Sequence, residues 1–506
     1  MAAVKLSPMM QQYMQIKEEY EDCILFFRLG DFYEMFFEDA KLASRELELT
    51  LTGKNCGMEE RAPMCGVPFH SSETYITRLV EKGYKVAICE QTEDPASAKG
   101  IVNREVIRIV TPGTVISSSM LRENENSYIA SVYFSEGSVG LAYCDVSTGE
   151  ICATDMKGED READLVNELV KIDAREVISD EDTGERLNTS ELRNTTGAYF
   201  NVLNESYYMP DAVRSIIKRQ FKVSALLGIG VEEGSASEFA LGSLLLYIHE
   251  TQKNSLEHIA HLNAYSMGQH MSLDRSTIKN LELTETLFEK KVKGSLLGVI
   301  DKTHTAMGGR KLKQWIKEPL NSVERICERL DAVEALLDNA LIRNNIKEHL
   351  KGVYDFERLT GRIACGTVNG RDMIALRNSC GILPDIKDEL ASCDSPLLDS
   401  LCAEIHSLDE VYDIISGGIV EEPPFTLKEG GLIKEGFSDE LDSLKRMRRT
   451  GSRDWSRASV RGQESKISRW ASIRCSATTL RSRNRITISY RIITYESRLL
   501  PTASAS

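Results

Sequence analysis

No uninterrupted apolar run in this chain reaches the roughly 18 residues that a membrane helix needs, so no membrane span is expected. The first ten residues, Met1 to Met10, hold no long apolar core of the kind a secretory signal requires, and none is expected. The 12 cysteines include no C-x-x-C pair. That spacing argues against a zinc ribbon or a disulfide framework and fits a reduced, cytosolic (cytoplasmic) compartment, with most thiols serving as small core residues. No G-x-x-x-x-G-K-S/T loop occurs, so the usual cradle for nucleotide phosphates is missing. Nor is there a G-x-S-x-G, an H-E-x-x-H or a protein-kinase motif set. The sequence therefore shows no catalytic constellation of its own.

What is present is a globular composition: 42% hydrophobic and 27% charged residues, which excludes global disorder. At about 100–200 residues per domain, 506 residues suggest roughly three domains. The net charge of −15 argues at first against a nucleic-acid partner. It is a sum over unlike segments. From Arg448 to the end the residues sum to about +10, leaving about −25 for the body.

Four parts follow along the chain. In the first, Cys23–Leu29 (C-I-L-F-F-R-L) and Phe32–Phe37 are β-prone runs around Gly30-Asp31, which predicts a hairpin with Gly at the first central position of a II′ turn. Residues 38–49 and 74–82 predict helices, the second ended by Gly83, and 85–91 and 105–110 predict strands. The second part reads as strands at 128–134, 139–145, 150–153 and 176–179 with a helix over 160–170. Both are α/β in character. The third part is mostly helical. Ile326, Leu330, Val333 and Leu337 recur at helical steps, with similar stripes over 241–251 and 372–383. The fourth, from about Met447, is dominated by Ser and Arg.

The sharpest local signal is Gly30-Asp31-Phe32-Tyr33-Glu34. On a strand, Phe32 and Glu34 face the same way. An aromatic wedge beside a carboxylate could probe a weakened base step, the ring stacking while the carboxyl group meets a base edge. The same spacing fits a core Phe with a Glu at a solvated edge. The Pro63–His70 segment, with Pro63, Gly66 and Pro68, predicts a rigid loop that supports either a binding surface or nothing beyond the fold. His258 and His261 share a helical spacing, but no further zinc ligand stands at a familiar distance. Gly228-Ile229-Gly230 lacks the third Gly of a dinucleotide fingerprint and reads as a loop.

Taken in order, further segments carry a resemblance. They are Pro8–Tyr13, Phe27–Glu34, Val86–Gln91, Asp94-Pro95, Arg108–Thr114, Leu273-Asp274, Asn280–Leu283, Met307–Arg310 and Leu312–Ile316. Together they resemble the bacterial MutS family of DNA mismatch-recognition proteins, from about Leu6 to Arg446. The resemblance implies a multidomain fold, α/β followed by all-α: a mixed α/β mismatch-binding domain over 1–115, an RNase H-like α/β connector over 125–235, and a helical core and lever over 238–446, incomplete. It also implies roles. Phe32 matches the family Phe that wedges beside a mispaired base, and Glu34 the Glu that hydrogen-bonds to it; Gly30, Asp31, Pro68 and His70 would form the supporting loop near DNA. The partners implied are mismatched double-stranded DNA, a second copy and a MutL-type protein.

The tail, 447–506, departs from the family. Codons for Arg485–Thr502 can be chosen so that a neighbouring frame reads S-N-Y-D-L-V-P-D-Y-Y-I-R-K-Q-T-L-A-N, which resembles the family sequence after its DNA-gripping clamp. Out-of-frame translation is therefore expected there, with a disordered or non-native tail. The rival is a real basic tail that binds phosphates. The family's ATPase, with its ATP and Mg, would lie beyond this point. No cofactor and no ATPase activity are expected of these 506 residues, and only poor DNA binding, since clamp phosphate contacts would be lost and helical apolar stripes left uncovered. A relative that keeps the core and lever but reads no mismatch is the alternative. Phe32 and Glu34 argue against it.

Overall fold

The structure, a computed structural model, describes residues 6–57, 60–93, 101–117, 119–187, 196–424 and 430–449. The Arg/Ser-rich tail lies outside these from residue 450 on. The chain divides into two compact units, one of Met1–Arg122 with Ser127–Ala264, the other of Glu123–Asn126 with the residues from Tyr265 onward.

The first unit holds two six-stranded sheets. The first sheet comprises β1 (Cys23–Leu29), β2 (Phe32–Phe36), β3 (Thr52–Lys54), β4 (Ala62–Pro68), β5 (Lys85–Gln91) and β6 (Arg104–Val110), in the order β3-β4-β2-β1-β5-β6. Only β1 and β5 pair in parallel. β1 is central and apolar on both faces, as its sequence requires. Ile24 and Phe26 enter one core with Met35, Ala40, Ala43 and Leu79. Leu25 and Phe27 enter the other with Met10, Tyr13 and Phe36. Each such ring or branched chain contributes roughly 1.5–3 kcal/mol by leaving water. Helices Pro8–Glu19, Phe37–Leu47 and Ser72–Val80 supply the covering residues. Burial pushes the Cys23 and Cys89 thiols up to about 12, so they pack as small neutral side chains.

The second sheet comprises β7 (Ile129–Ser135), β8 (Ser138–Asp145), β9 (Glu150–Lys157), β10 (Glu176–Ser179), β11 (Tyr199–Val202) and β12 (Leu262–Ala264), ordered β11-β10-β7-β8-β9-β12. β7, β8 and β9 form an antiparallel meander, and β10 joins β7 in parallel. The helix Ala236–Gln252 packs on β7 and β8. Here the structure differs from the sequence reading, which ends the second part at 235 and opens the helical part at 238. The helix is buried almost all round, so it carries no one-sided stripe to show which unit owns it. The linker 111–114 is tied to this sheet by the buried Glu176 carboxylate. It accepts from the Thr111 hydroxyl (2.5 Å), the Gly113 amide (3.1 Å) and, through its other oxygen, the Tyr247 hydroxyl (2.7 Å). His258 is buried in this unit with its Nε2 2.8 Å from the Val146 carbonyl.

The second unit is helical. Helices Ala306–Lys317, Val323–Asp338, Ala340–Lys351, Phe356–Ala364, Gly370–Leu390, Pro396–Glu404 and Asp409–Gly418 surround a core that includes Phe356, Leu359, Leu376, Leu383 and Ile386. An Asn369/Asp372 capping box starts the longest of them. Val323–Asp338 turns Ala332, Ala335 and Leu336 to this core, whereas Ile326, Leu330, Val333 and Leu337 are exposed.

Candidate nucleic-acid interface

The β1–β2 hairpin closes on two residues. Leu29 pairs with Phe32, and Gly30 alone of the two central residues has a positive φ, +59°, as a II′ turn needs. This geometry starts β2 at Phe32, a residue that is 47% exposed. Along β2 the next residue, Tyr33, turns into the core and Glu34 returns to the face of Phe32. Phe32 stands opposite Pro68 on β4, and Glu34 opposite Gly66. A Cβ at Gly66 would lie 3.1 Å from the Tyr33 carbonyl oxygen and 3.5 Å from Glu34 Cγ, so glycine leaves Glu34 its room.

Beneath the ring the turn is braced. Arg28 is buried. Its Nε donates to the Gly30 carbonyl at 2.5 Å, its guanidinium lies 3.7 Å from the centre of the Phe69 ring, and its Nη1 is 3.3 Å from Glu90. The Tyr33 hydroxyl bonds the same Glu90 carboxylate, and burial together with that carboxylate raises its pKa. The Phe69 amide donates to the Asp31 carbonyl at 3.0 Å, which fastens the end of β4 to the turn. His70 is exposed with its ring edge-on to Phe69. Glu34 Oε2 is 2.5 Å from Lys54 Nζ on β3.

The structure thus brings Gly30, Asp31, Phe32, Glu34 and Pro68 into one surface, with His70 just beyond. Sequence reading missed Arg28 and Lys54 as parts of it; it included Gly66 and Phe69 in the Pro63–His70 segment, but as a rigid loop, whereas the structure makes that segment strand β4 as far as Pro68. Arg28 had a visible signal, being the one charge in an apolar strand. Lys54 had none, because its partner is twenty residues away.

Arg28→Lys tests the brace. Lysine keeps the charge but loses the planar fork and the ring stack. The expected result is a loss of about 1–2 kcal/mol in urea unfolding, in the range of a hydrogen bond to a charged group, with faster amide exchange at Asp31 and Phe32. Unchanged exchange there would remove Arg28 from this role.

Three family models match in order: MutS domain I over residues 7–119, MutS domain II over 127–260 and MutS domain III over 276–500. The domain II match takes in the Ala236–Gln252 helix, and the domain III match runs past Met447, where the sequence reading ends the resemblance. The DNA mismatch repair protein MutS of Lachnoclostridium phytofermentans is 46% identical over 448 residues, 88% of this chain and 48% of the relative. Those of Ruminiclostridium cellulolyticum and Clostridium perfringens are 47% and 46% identical over 91% and 89% of this chain, covering 52% and 49% of the relatives. The chain spans about half the length of the curated relatives it matches. With domains I, II and III matched in sequence order, the chain belongs to the MutS family.

Proposed function

We propose that this chain binds mismatched double-stranded DNA in mismatch repair, with Phe32 inserted beside the mispaired base and the Glu34 carboxyl group hydrogen-bonded to that base. The observation that carries this reading is an exposed Phe32 ring at the end of a braced turn, with a carboxylate on the same face two residues on. An aromatic ring has little reason to stand in water on so rigid a support unless something covers it. A mismatch stacks and pairs less well than a good pair, so prising it open costs less, and a fixed wedge turns that difference into selectivity. The scaffold alternative predicts no use for the exposed ring.

Other parts of the reading are less local. The order β9-β8-β7-β10-β11 supports an RNase H-like connector. Among the described residues no helix is long and apolar enough to cross a membrane, and the reading places the chain in the cytoplasm. ATP, Mg, the second copy and the MutL-type partner belong, in this reading, to the family's longer chains.

Fluorescence anisotropy or mobility shift on G·T and fully paired duplexes tests the proposal. Weak binding overall is expected, with a preference for the mismatch. Phe32→Ala should erase it, because an aromatic–base stack is worth about 1–3 kcal/mol, or roughly 5- to 150-fold in affinity. A Phe32→Ala chain that kept the preference would rule out the wedge.

A further inference from the structure

We infer that Lys54 is a positioning residue for mismatch recognition: it holds the Glu34 carboxylate as an ion pair in the free protein and passes to a duplex phosphate on binding, releasing Glu34 toward the base. This rests on the function proposed above. Among the described residues Lys54 is the polar partner of the Glu34 carboxylate, at 2.5 Å, and the two side chains are only 33% and 16% exposed. Phe32 lies two residues from Glu34 on the same face, so any duplex reaching the ring also reaches the pair. A bare carboxylate there would repel every phosphate that approached. Paired, it presents almost no net charge.

The exchange is physically easy for Lys54. It ends β3, the edge strand of the sheet, and its ammonium is a compact charge on a flexible stem, partly in water. Phosphate oxygens are strong competing acceptors for such a group. What happens to the released carboxylate then depends on the DNA. At a mismatch, an unpaired base edge takes it up. At a paired step the Watson–Crick-edge donors are engaged across the helix, and the carboxylate would stand beside phosphates without them. Lys54 therefore screens Glu34 as either duplex approaches, while its exchange to phosphate, at the cost of the ion pair, is completed only at a mismatch.

A double-mutant cycle on the full chain tests this, using G·T and paired duplexes over a range of salt. Lys54→Met keeps an unbranched stem of similar length and removes the ammonium, which lies 5.7 Å from the centre of the Phe36 ring. It should lower the slope of log affinity against log salt by about 1 on the mismatched duplex and, with no ion pair left to break, raise the mismatch preference several-fold. In a Glu34→Gln background, Lys54→Met should still lower the salt slope but leave the remaining preference unchanged. Lys54→Arg should restore both. A loss of preference, an equal change with and without Glu34, or no change at all overturns the inference while the proposed function stands. A wild-type chain without mismatch preference overturns both. Unfolding curves that coincide for wild type, Lys54→Met and Lys54→Arg exclude a folding artefact. If Lys54→Met fails to fold, Lys54→Gln takes its place with the same expected results.

Discussion

Replacing Arg310 by Met is expected to cost the helical unit about 3–5 kcal/mol, the usual consequence of removing one partner from a buried ion pair. Arg310 sits on the Ala306–Lys317 helix, almost wholly buried. Its Nη1 and Nη2 reach the two Asp355 oxygens at 2.6 and 2.9 Å, Nη2 also meets Glu357 at 2.7 Å, and Nη1 donates to the Glu123 carbonyl at 2.9 Å. Asp355 in turn caps the Phe356–Ala364 helix. One guanidinium thus closes a helix start and seats the segment 123–126, which Arg358 also grips through the Glu125 carbonyl. Methionine fills much of the volume but takes the Arg310 cation from Asp355 and Glu357, leaving Arg358 3.9 Å from Asp355. With total stabilities of about 5–15 kcal/mol typical of domains, such a loss brings the unit near the edge of folding. Urea unfolding and amide exchange over 356–364 would measure it, and a change under about 1 kcal/mol would contradict the role given to Arg310.

The same site sets a pH dependence with a definite sign. Burial disfavours the charged Asp355 carboxylate, yet the hydrogen bonds and field of Arg310 hold its pKa below the ordinary value. A depressed folded value means the stabilisation is complete above the unfolded value of about 3.9 and is lost as pH falls through the folded one. In Arg310→Met burial acts without that cation, and protonation relieves a carboxylate that keeps only the weaker Arg358 contact at 3.9 Å. The stability gap between the two proteins should therefore narrow as pH drops below about 4. A gap constant from pH 7 to 3 would mean that lost packing, not charge, dominates.

How much of this was legible in the sequence depended on how local each signal was. C-I-L-F-F-R-L followed by Gly30 predicts a central strand and a tight turn, and the structure has both, because strand burial and turn conformation are written within about ten residues. The side of the chain on which Phe32 and Glu34 fall follows from strand alternation alone. Ownership of the Ala236–Gln252 helix was not legible, since an apolar helix names no partner. Ile326, Leu330, Val333 and Leu337 show a helical period and nothing about which face is covered. In the structure the less prominent Ala332, Ala335 and Leu336 reach the core. Lys54 was invisible for a related reason. Its pairing with Glu34 depends on β3 and β2 both aligning on β4, a tertiary register that no local pattern encodes.

A tertiary contact in the second sheet underlies the most severe substitution expected in the first unit, Gly140→Val. Gly140 lies on β8 opposite Tyr133 on one side and Asp155 on the other. A Cβ there would stand 2.1 Å from the carbonyl carbon and oxygen of Ala236 and 2.4 Å from the Ser237 nitrogen. These are backbone atoms in the first turn of the Ala236–Gln252 helix, and they are held. Ser237 donates its amide to Asp155 at 2.9 Å and its hydroxyl to the other oxygen at 2.5 Å. The helix cannot rise from the sheet without breaking those bonds and lifting Leu241, Leu244, Leu245 and Ile248 from complete burial. Overpacking a core typically costs about 1–3 kcal/mol when side chains can adjust. Here they cannot, so Gly140→Ala is expected at or above that range, and Gly140→Val should abolish cooperative unfolding of the unit. Gly137→Ala is the matched control. Its φ is +85° but a Cβ would meet nothing within 4 Å, so only backbone strain of roughly 1 kcal/mol applies. Urea melts of the three variants separate the two causes. If Gly140→Ala proved no worse than Gly137→Ala, close helix–sheet contact would not be what requires glycine at 140.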